Sequence, residues 1–283
     1  VPADASFVKA FEAAGFETFW LAVQERSIAW PDATHQAYEP TPRTDRQALL
    51  PLLDAALAKP SARKLIVLHA YNAHAPYHER YDASTAPFAA DVARLRGSPS
   101  RSDLPVWWNA YDNAIDESMR FLRAVTARLG ALDAQVFLAY TPDHGENMLD
   151  DARGLTLHAL KRPTIWDTQV PLVVWSNPAW RGAHTERWAQ LMGNQGAALM
   201  HMDVVPTLLG ATRAATRSRG RSPRQQRSMD GRQCFTVMVR VSVTGPLHGA
   251  MRPKTARMDI CIRDRVGTES ARRHDTLAVG GER

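Results

Sequence analysis

Three histidine-bearing loops hold the residues of this chain best suited to chemistry. Residues 70–77 (AYNAHAPY) follow the apolar run 65–69, residues 141–147 (TPDHGEN) follow the run 135–140, and the stretch 152–168 contains His158. Within the second loop, Asp143-His144-Gly145 sets a carboxylate beside an imidazole. The two can reach one metal ion where the backbone turns sharply, and Gly145 permits such a turn. Oxygen and nitrogen donors without sulfur suit a catalytic zinc, with manganese as the alternative. The same tripeptide also reads as an ordinary turn, with Asp143 capping and His144 satisfied by backbone. His74 and His158, with an ordinary pKa of about 6.5, can contact a phosphate or move a proton to a leaving group. Each, taken alone, is equally a structural or solvated loop histidine, and His35, His69 and His78 are read as structural.

The elements around these loops follow from the apolar pattern. The runs 17–24, 65–69, 135–140 and 170–175 are continuous rather than alternating, as in strands buried on both faces. Helices are expected over 4–14, from the Thr44 capping box to about Lys59, over 111–129 and over 201–209. In the 111–129 helix the apolar face falls on Ile115, Met119, Leu122 and Val125. Asp112, Asp116 and Glu117 are expected to face solvent or cap, and Trp107, Trp108 and Trp166 to be core. Residues 25–43 and 70–108 read as loops. Strands alternating with helices predict an α/β domain around a mostly parallel sheet, whose ligands bind beyond the carboxyl ends of the strands. All three histidine loops follow or precede such strands.

Charge divides the chain in two. The formal net charge of +6 combines −4 over residues 1–212 with +10 over 213–283, where Arg213, Arg217, Arg219, Arg221, Arg224 and Arg227 lie among Ser, Gln and Gly. Apart from one β-like run, 235–243, the second segment lacks apolar periodicity and is expected to be a basic tail, disordered or non-native. Cys234 and Cys261 both lie in it, so the first 212 residues hold no disulfide and no thiolate metal site. No stretch has the length and apolarity of a bilayer-spanning helix. Gly-rich phosphate loops and the GxSxG elbow are absent from the sequence.

Taken together, residues 65–81 (LIVLHAYNAHAPYHERY), 111–115 (YDNAI), 141–148 (TPDHGENM) and 158–175 (HALKRPTIWDTQVPLVVW), in that order, resemble the phosphoethanolamine transferases of the sulfatase-like branch of the alkaline phosphatase superfamily. Residues 16–24 and 203–209 fit the same alignment. The resemblance implies a three-layer α/β/α fold, alkaline phosphatase/sulfatase-like, with residues 1–212 as a partial catalytic domain. It implies transfer of phosphoethanolamine from phosphatidylethanolamine to lipid A or another envelope glycan, at the periplasmic face of the bacterial inner membrane. The membrane attachment would come through a transmembrane domain outside this chain, and no nucleic acid is expected as a partner. Zinc would be held by Asp143 and His144 together with an acidic residue and a nucleophilic threonine, while His74 and His158 would attend the phosphoryl group. The last two zinc ligands match nothing here, so the chain is expected to be inactive alone. Two other readings remain open: a sulfatase or phosphodiesterase of the same superfamily, and a nucleic-acid or anionic-membrane binder acting through the basic tail.

Overall fold

The computed structural model describes residues 6–24, 33–39, 44–97, 99–150, 152–158 and 162–212, and the backbone of 234–241 and 259–261. In chain order the elements are α1 (Phe7–Ala13), β1 (Glu17–Ala22), β2 (His35–Tyr38), α2 (Asp45–Ala58), β3 (Arg63–Ala70), α3 (Leu104–Gly130), β4 (Gln135–Thr141), β5 (Asn147–Met148), β6 (Thr156–Leu157), α4 (Ile165–Thr168), β7 (Pro171–Ser176), α5 (Pro178–Ala183), α6 (Thr185–Gly193), α7 (Val204–Thr212), β8 (Cys234–Val241) and β9 (Asp259–Cys261). Seven strands form one sheet in the order β2-β1-β3-β8-β4-β7-β9. The pairings from β2 to β4 are parallel, and β7 runs antiparallel to β4.

Alternation along each strand explains the layers. Phe19, Leu21, Ile66, Leu68, Val136 and Leu138 face one side, where they pack with Leu49 and Leu53 of α2 and Phe121 and Val125 of α3. Trp20, Leu65, Val67, Phe137 and Ala139 face the other, against Val8 and Phe11 of α1, Trp180 of α5 and Leu208 of α7. A strand with helices on both faces must be apolar at every position, which is why these runs are continuous. The expected three-layer α/β/α arrangement is present.

Several local expectations are corrected. The loop read over 25–43 contains β2, an edge strand whose sequence HQAY has no apolar run because it pairs on one side only. The buried stripe of α3 runs through Trp107, Ala110, Ala114, Phe121, Leu122, Val125 and Leu129, with Met119 packed against the core, so of the expected apolar face only Ile115 is exposed. Glu117 is buried rather than solvated, since α2 packs across it and Arg46 Nε donates to its carboxylate at 2.8 Å. Trp108 and Trp166 are surface residues, and Trp107 alone of the three is core.

Within 213–283, the backbone of β8 lies between β3 and β4 and that of β9 beside β7. The sheet thus includes two stretches from the segment whose composition predicts disorder, and the rest of that segment lies outside the described residues.

Candidate metal and phosphoryl site

The parallel strands β3 and β4 end side by side across β8, and each releases its loop at the same edge of the sheet. The first loop is clamped at its start. Thr44 caps α2 through a reciprocal bond with Gln47, which sets Asp45 at the first helical position. The buried Asp45 carboxylate then accepts from the backbone N–H of Tyr71 (3.0 Å) and Asn72 (2.6 Å). Burial raises the Asp45 pKa above its ordinary value, against the pull of those two N–H groups. Arg80 closes the other side, with its guanidinium 4.1 Å over the Tyr71 ring and its Nε donating to the His74 carbonyl at 3.0 Å. His74 is therefore presented by a loop tied down on two sides.

The second loop is held by close packing. Gly145 N–H donates to the Asp167 carbonyl at 2.9 Å, and a Cβ placed on Gly145 would sit 2.0 Å from the Trp166 carbonyl oxygen. Glycine is needed there for this close approach; its φ is not in the left-handed region that the expected sharp turn suggests. Asp167 is itself locked in a capping box with Thr164, whose hydroxyl accepts from Asn147 Nδ2. On the other flank His201 Nε2 meets the Pro142 carbonyl at 2.8 Å.

A two-stranded ribbon delivers the third histidine. The register Met148↔Thr156, Asn147↔Leu157 continues to set Glu146 opposite His158. Leu149 and Leu157 take left-handed φ values of about +61°, a conformation costing roughly 1 kcal/mol or more for a non-glycine residue. Leu157 in that conformation directly precedes His158.

All four sequence-predicted residues come together. Asp143 Oδ1 lies 3.8 Å from His144 Nε2, the His144 and His158 rings stack at 4.0 Å, and the His74 and His158 rings are 5.7 Å apart. His144 Nδ1 contacts the Gly145 carbonyl at 2.6 Å, so this nitrogen carries the proton and Nε2 presents a lone pair. That Nε2 is buried and has no hydrogen-bond partner. Burial draws His74 below the ordinary histidine pKa, with the nearby His158 charge acting in the same direction.

The fifth member, Glu146, is not among the residues singled out from sequence. Its side chain is 4% exposed, and one oxygen meets His158 Nδ1 at 3.0 Å. The bond to this carboxylate raises the His158 pKa, overcoming burial. Burial and the same negative charge hold the Tyr77 phenol well above its ordinary pKa and push Tyr111 up to about 12. Glu146 stands two residues past His144 in the sequence, but only the pairing of β5 with β6 brings it to His158.

Donor atoms of His144, Glu146 and His158 lie within 4.8 Å of one another. Because imidazole lone pairs lie in the ring plane, two rings stacked 4.0 Å apart at 28° direct them side by side. One ion cannot take a nitrogen from both rings as they stand. Asp143 stands beside His144, with Oδ1 3.8 Å from Nε2, and Glu146 is engaged in orienting His158.

Residues 3–214 match the sulfatase family model. The chain belongs to the sulfatase family. Among curated members it is similar to phosphoethanolamine transferase CptA of Salmonella typhimurium, with 27% identity over 200 residues, covering 65% of this chain and 34% of CptA. Two solved structures with a similar fold are periplasmic domains of EptC. The C-terminal periplasmic domain of EptC from Campylobacter jejuni aligns with a TM-score of 0.57 at 21% identity, over 69% of this chain and 62% of that one. The corresponding Escherichia coli EptC domain in complex with Zn aligns with a TM-score of 0.52 at 22% identity, over 62% and 52%. The chain spans about a third of the length of CptA.

Proposed function

We propose that residues 1–212 carry part of the catalytic domain of a zinc-dependent phosphoethanolamine transferase. The donor is phosphatidylethanolamine and the acceptor is lipid A or another envelope glycan, at the periplasmic face of the inner membrane. The observation that carries this reading is the buried, partnerless Nε2 of His144 beside the Asp143 carboxylate, ringed by His158 and His74 at the carboxyl ends of β3 and β4.

Asp143 and His144 would hold the ion, and we favour zinc because a zinc complex is known for the related EptC domain and nothing comparable favours manganese. Bound there, zinc would offset negative charge on the transferring phosphoryl oxygens. His158, oriented by Glu146, whose carboxylate favours its charged form, would face those oxygens, while burial favours the neutral form of His74, which suits proton transfer with the leaving or attacking oxygen. The balance is a substitution at phosphorus: the bond to the diacylglycerol oxygen breaks, a bond to the acceptor oxygen forms, and the acceptor proton passes to the leaving oxygen.

Two protein donors fall short of the three or four that zinc sites use. Thr34, Thr141 and Thr156 do not complete the set. Thr34 sits with Thr18 and Glu12 at the opposite end of the sheet, Thr141 donates to the Pro142 carbonyl, and Thr156 lies in β6. We therefore propose that the chain alone binds zinc weakly and does not sustain turnover. Zinc content and calorimetric affinity of the purified chain, with a transfer assay on labelled phosphatidylethanolamine, test this. Weak binding abolished by Asp143→Asn or His144→Ala, without turnover, is expected. Zinc binding indifferent to both substitutions would overturn the site, and turnover would overturn the inactivity.

A further inference from the structure

His74 and the metal-side residues come from different strands, and the sheet does not join those strands directly. His74 follows β3, Asp143 and His144 follow β4, and His158 is delivered by the ribbon beyond them. In the order β3-β8-β4, the facing edges of β3 and β4 pair with β8 and not with each other. All eight residues of β3 and all seven of β4 take a parallel partner in β8. Two strand spacings, roughly 9–10 Å, therefore separate the points where the two loops begin. The loops close that gap to 5.7 Å between the His74 and His158 rings.

The register ends β8 where both loops start. Arg240 pairs with His69 and with Thr141, and Val241 with Ala70. The sequence suits this position: Phe235, Val237, Val239 and Val241 recur at every second residue, three of them β-branched. Helices cover the strands from above and below, α2 and α3 on one face and α1, α5 and α7 on the other. Neither layer fills the lateral gap. A β3 paired straight to β4 would bring the loops closer by one spacing, about 4.8 Å. That shift is comparable with the 5.7 Å between the two rings, so the strand in between holds the His74 loop at its present distance.

We propose that β8 is the positioning strand of the site: residues 234–241 set the spacing between the His74 loop and the 142–145 loop. What that spacing does in phosphoryl transfer rests on the function proposed above; the place of β8 between the two strands does not. The segment whose charge sets it apart from the acidic body thus supplies the strand that joins the two halves of the site.

Thiol bridging in the full chain tests the placement. With Cys261→Ser, Cys234 is the only cysteine, and the register sets it opposite Arg63 on one side and Gln135 on the other. Neighbouring strands lie about 4.8 Å apart, within reach of dibromobimane, which fluoresces on joining two thiols. Arg63→Cys and Gln135→Cys, made separately, should each give the bridged product, and Ser102→Cys, exposed ahead of α3, should not. Bridging to one strand alone, or to neither, would overturn the proposal. The positioning role is read from phosphoethanolamine affinity in the zinc-saturated full chain, counted as the part that His74→Ala abolishes. Val237→Pro removes a ladder bond from the middle of β8 and should lower this affinity about tenfold, while zinc affinity, held within one loop, changes less than about twofold. Bridging Cys234 in the Gln135→Cys variant should leave phosphoethanolamine affinity intact, an arm that does not depend on a weakened strand. Unchanged phosphoethanolamine affinity in Val237→Pro, zinc affinity lost alongside it, or affinity lost on bridging would each overturn the positioning role. A parent chain that binds no phosphoethanolamine through His74 counts against the transferase, and the thiol bridges still decide where β8 lies.

Discussion

The two ends of the parallel strands share a sheet and differ in which side chains hold their polar groups. At the amino-terminal end, most of these polar side chains bond to the protein, although Ser176 Oγ and Trp180 Nε1 are buried there without a hydrogen-bond partner. The buried Lys64 ammonium donates to the Leu57 and Lys59 carbonyls at the end of α2, and Glu17 meets His35 at 2.5 Å. Thr18, Thr34 and Glu12 form a closed cluster. Asn177 accepts from the N–H groups of Val136 and Trp180 while donating to the Ala134 carbonyl. At the carboxyl-terminal end, His144 Nε2, one Glu146 oxygen and the Asn72 amide are buried without a hydrogen-bond partner. An unmade bond at a buried polar atom costs about 1–3 kcal/mol, so such atoms grouped among ligating side chains, as at the carboxyl-terminal end, are suited to a ligand.

Substitutions should separate the ends cleanly. Gly145→Ala should have the largest effect, because its Cβ would fall 2.0 Å from a backbone oxygen that cannot rotate away. A loss of about 3 kcal/mol in denaturant unfolding, together with loss of zinc binding, is expected. Asn177→Ala removes three buried bonds and should cost about 2–3 kcal/mol while leaving zinc affinity unchanged. A change in zinc affinity there would blur the division. Glu146→Ala should weaken zinc binding by roughly tenfold or less, the order expected for a residue outside the donor pair, with little change in melting temperature. A loss as large as that of Asp143→Asn would make Glu146 a ligand.

The smallest effect concerns acid. The bond to His35 lowers the Glu17 pKa below its ordinary value of 4.5. A carboxylate depressed on folding contributes stability that is fully present above its unfolded pKa and is lost as pH falls through the folded one. Glu17→Gln should therefore flatten the stability–pH slope below about pH 4.5. An unaltered slope in that window would show that the pair does not couple to folding.

Much of the site was legible because its residues cluster in short segments. Asp143, His144, His74 and His158 each follow a recognisable strand or sit in a recognisable loop, and parallel strands bring their ends to one edge. Glu146 and Glu117 were not legible for a shared reason. A charged residue reads as solvated until another element covers it, and β6 and α2 are the elements that do so. Trp166 erred in the opposite direction, since an indole reads as core until its neighbours turn it outward.

By itself the sequence determined the layered α/β fold, through continuous apolar runs, and that Asp143, His144 and His74 stand at strand ends that share one edge of the sheet. It also determined the division between an acidic body and a basic segment. Only the tertiary structure decided that Glu146 faces His158, that Gly145 is required by the Trp166 carbonyl, and that β8 lies between β3 and β4. Periodicity and local spacing report what a residue does along its own element. Register between strands and the approach of remote loops depend on contacts that no local pattern encodes.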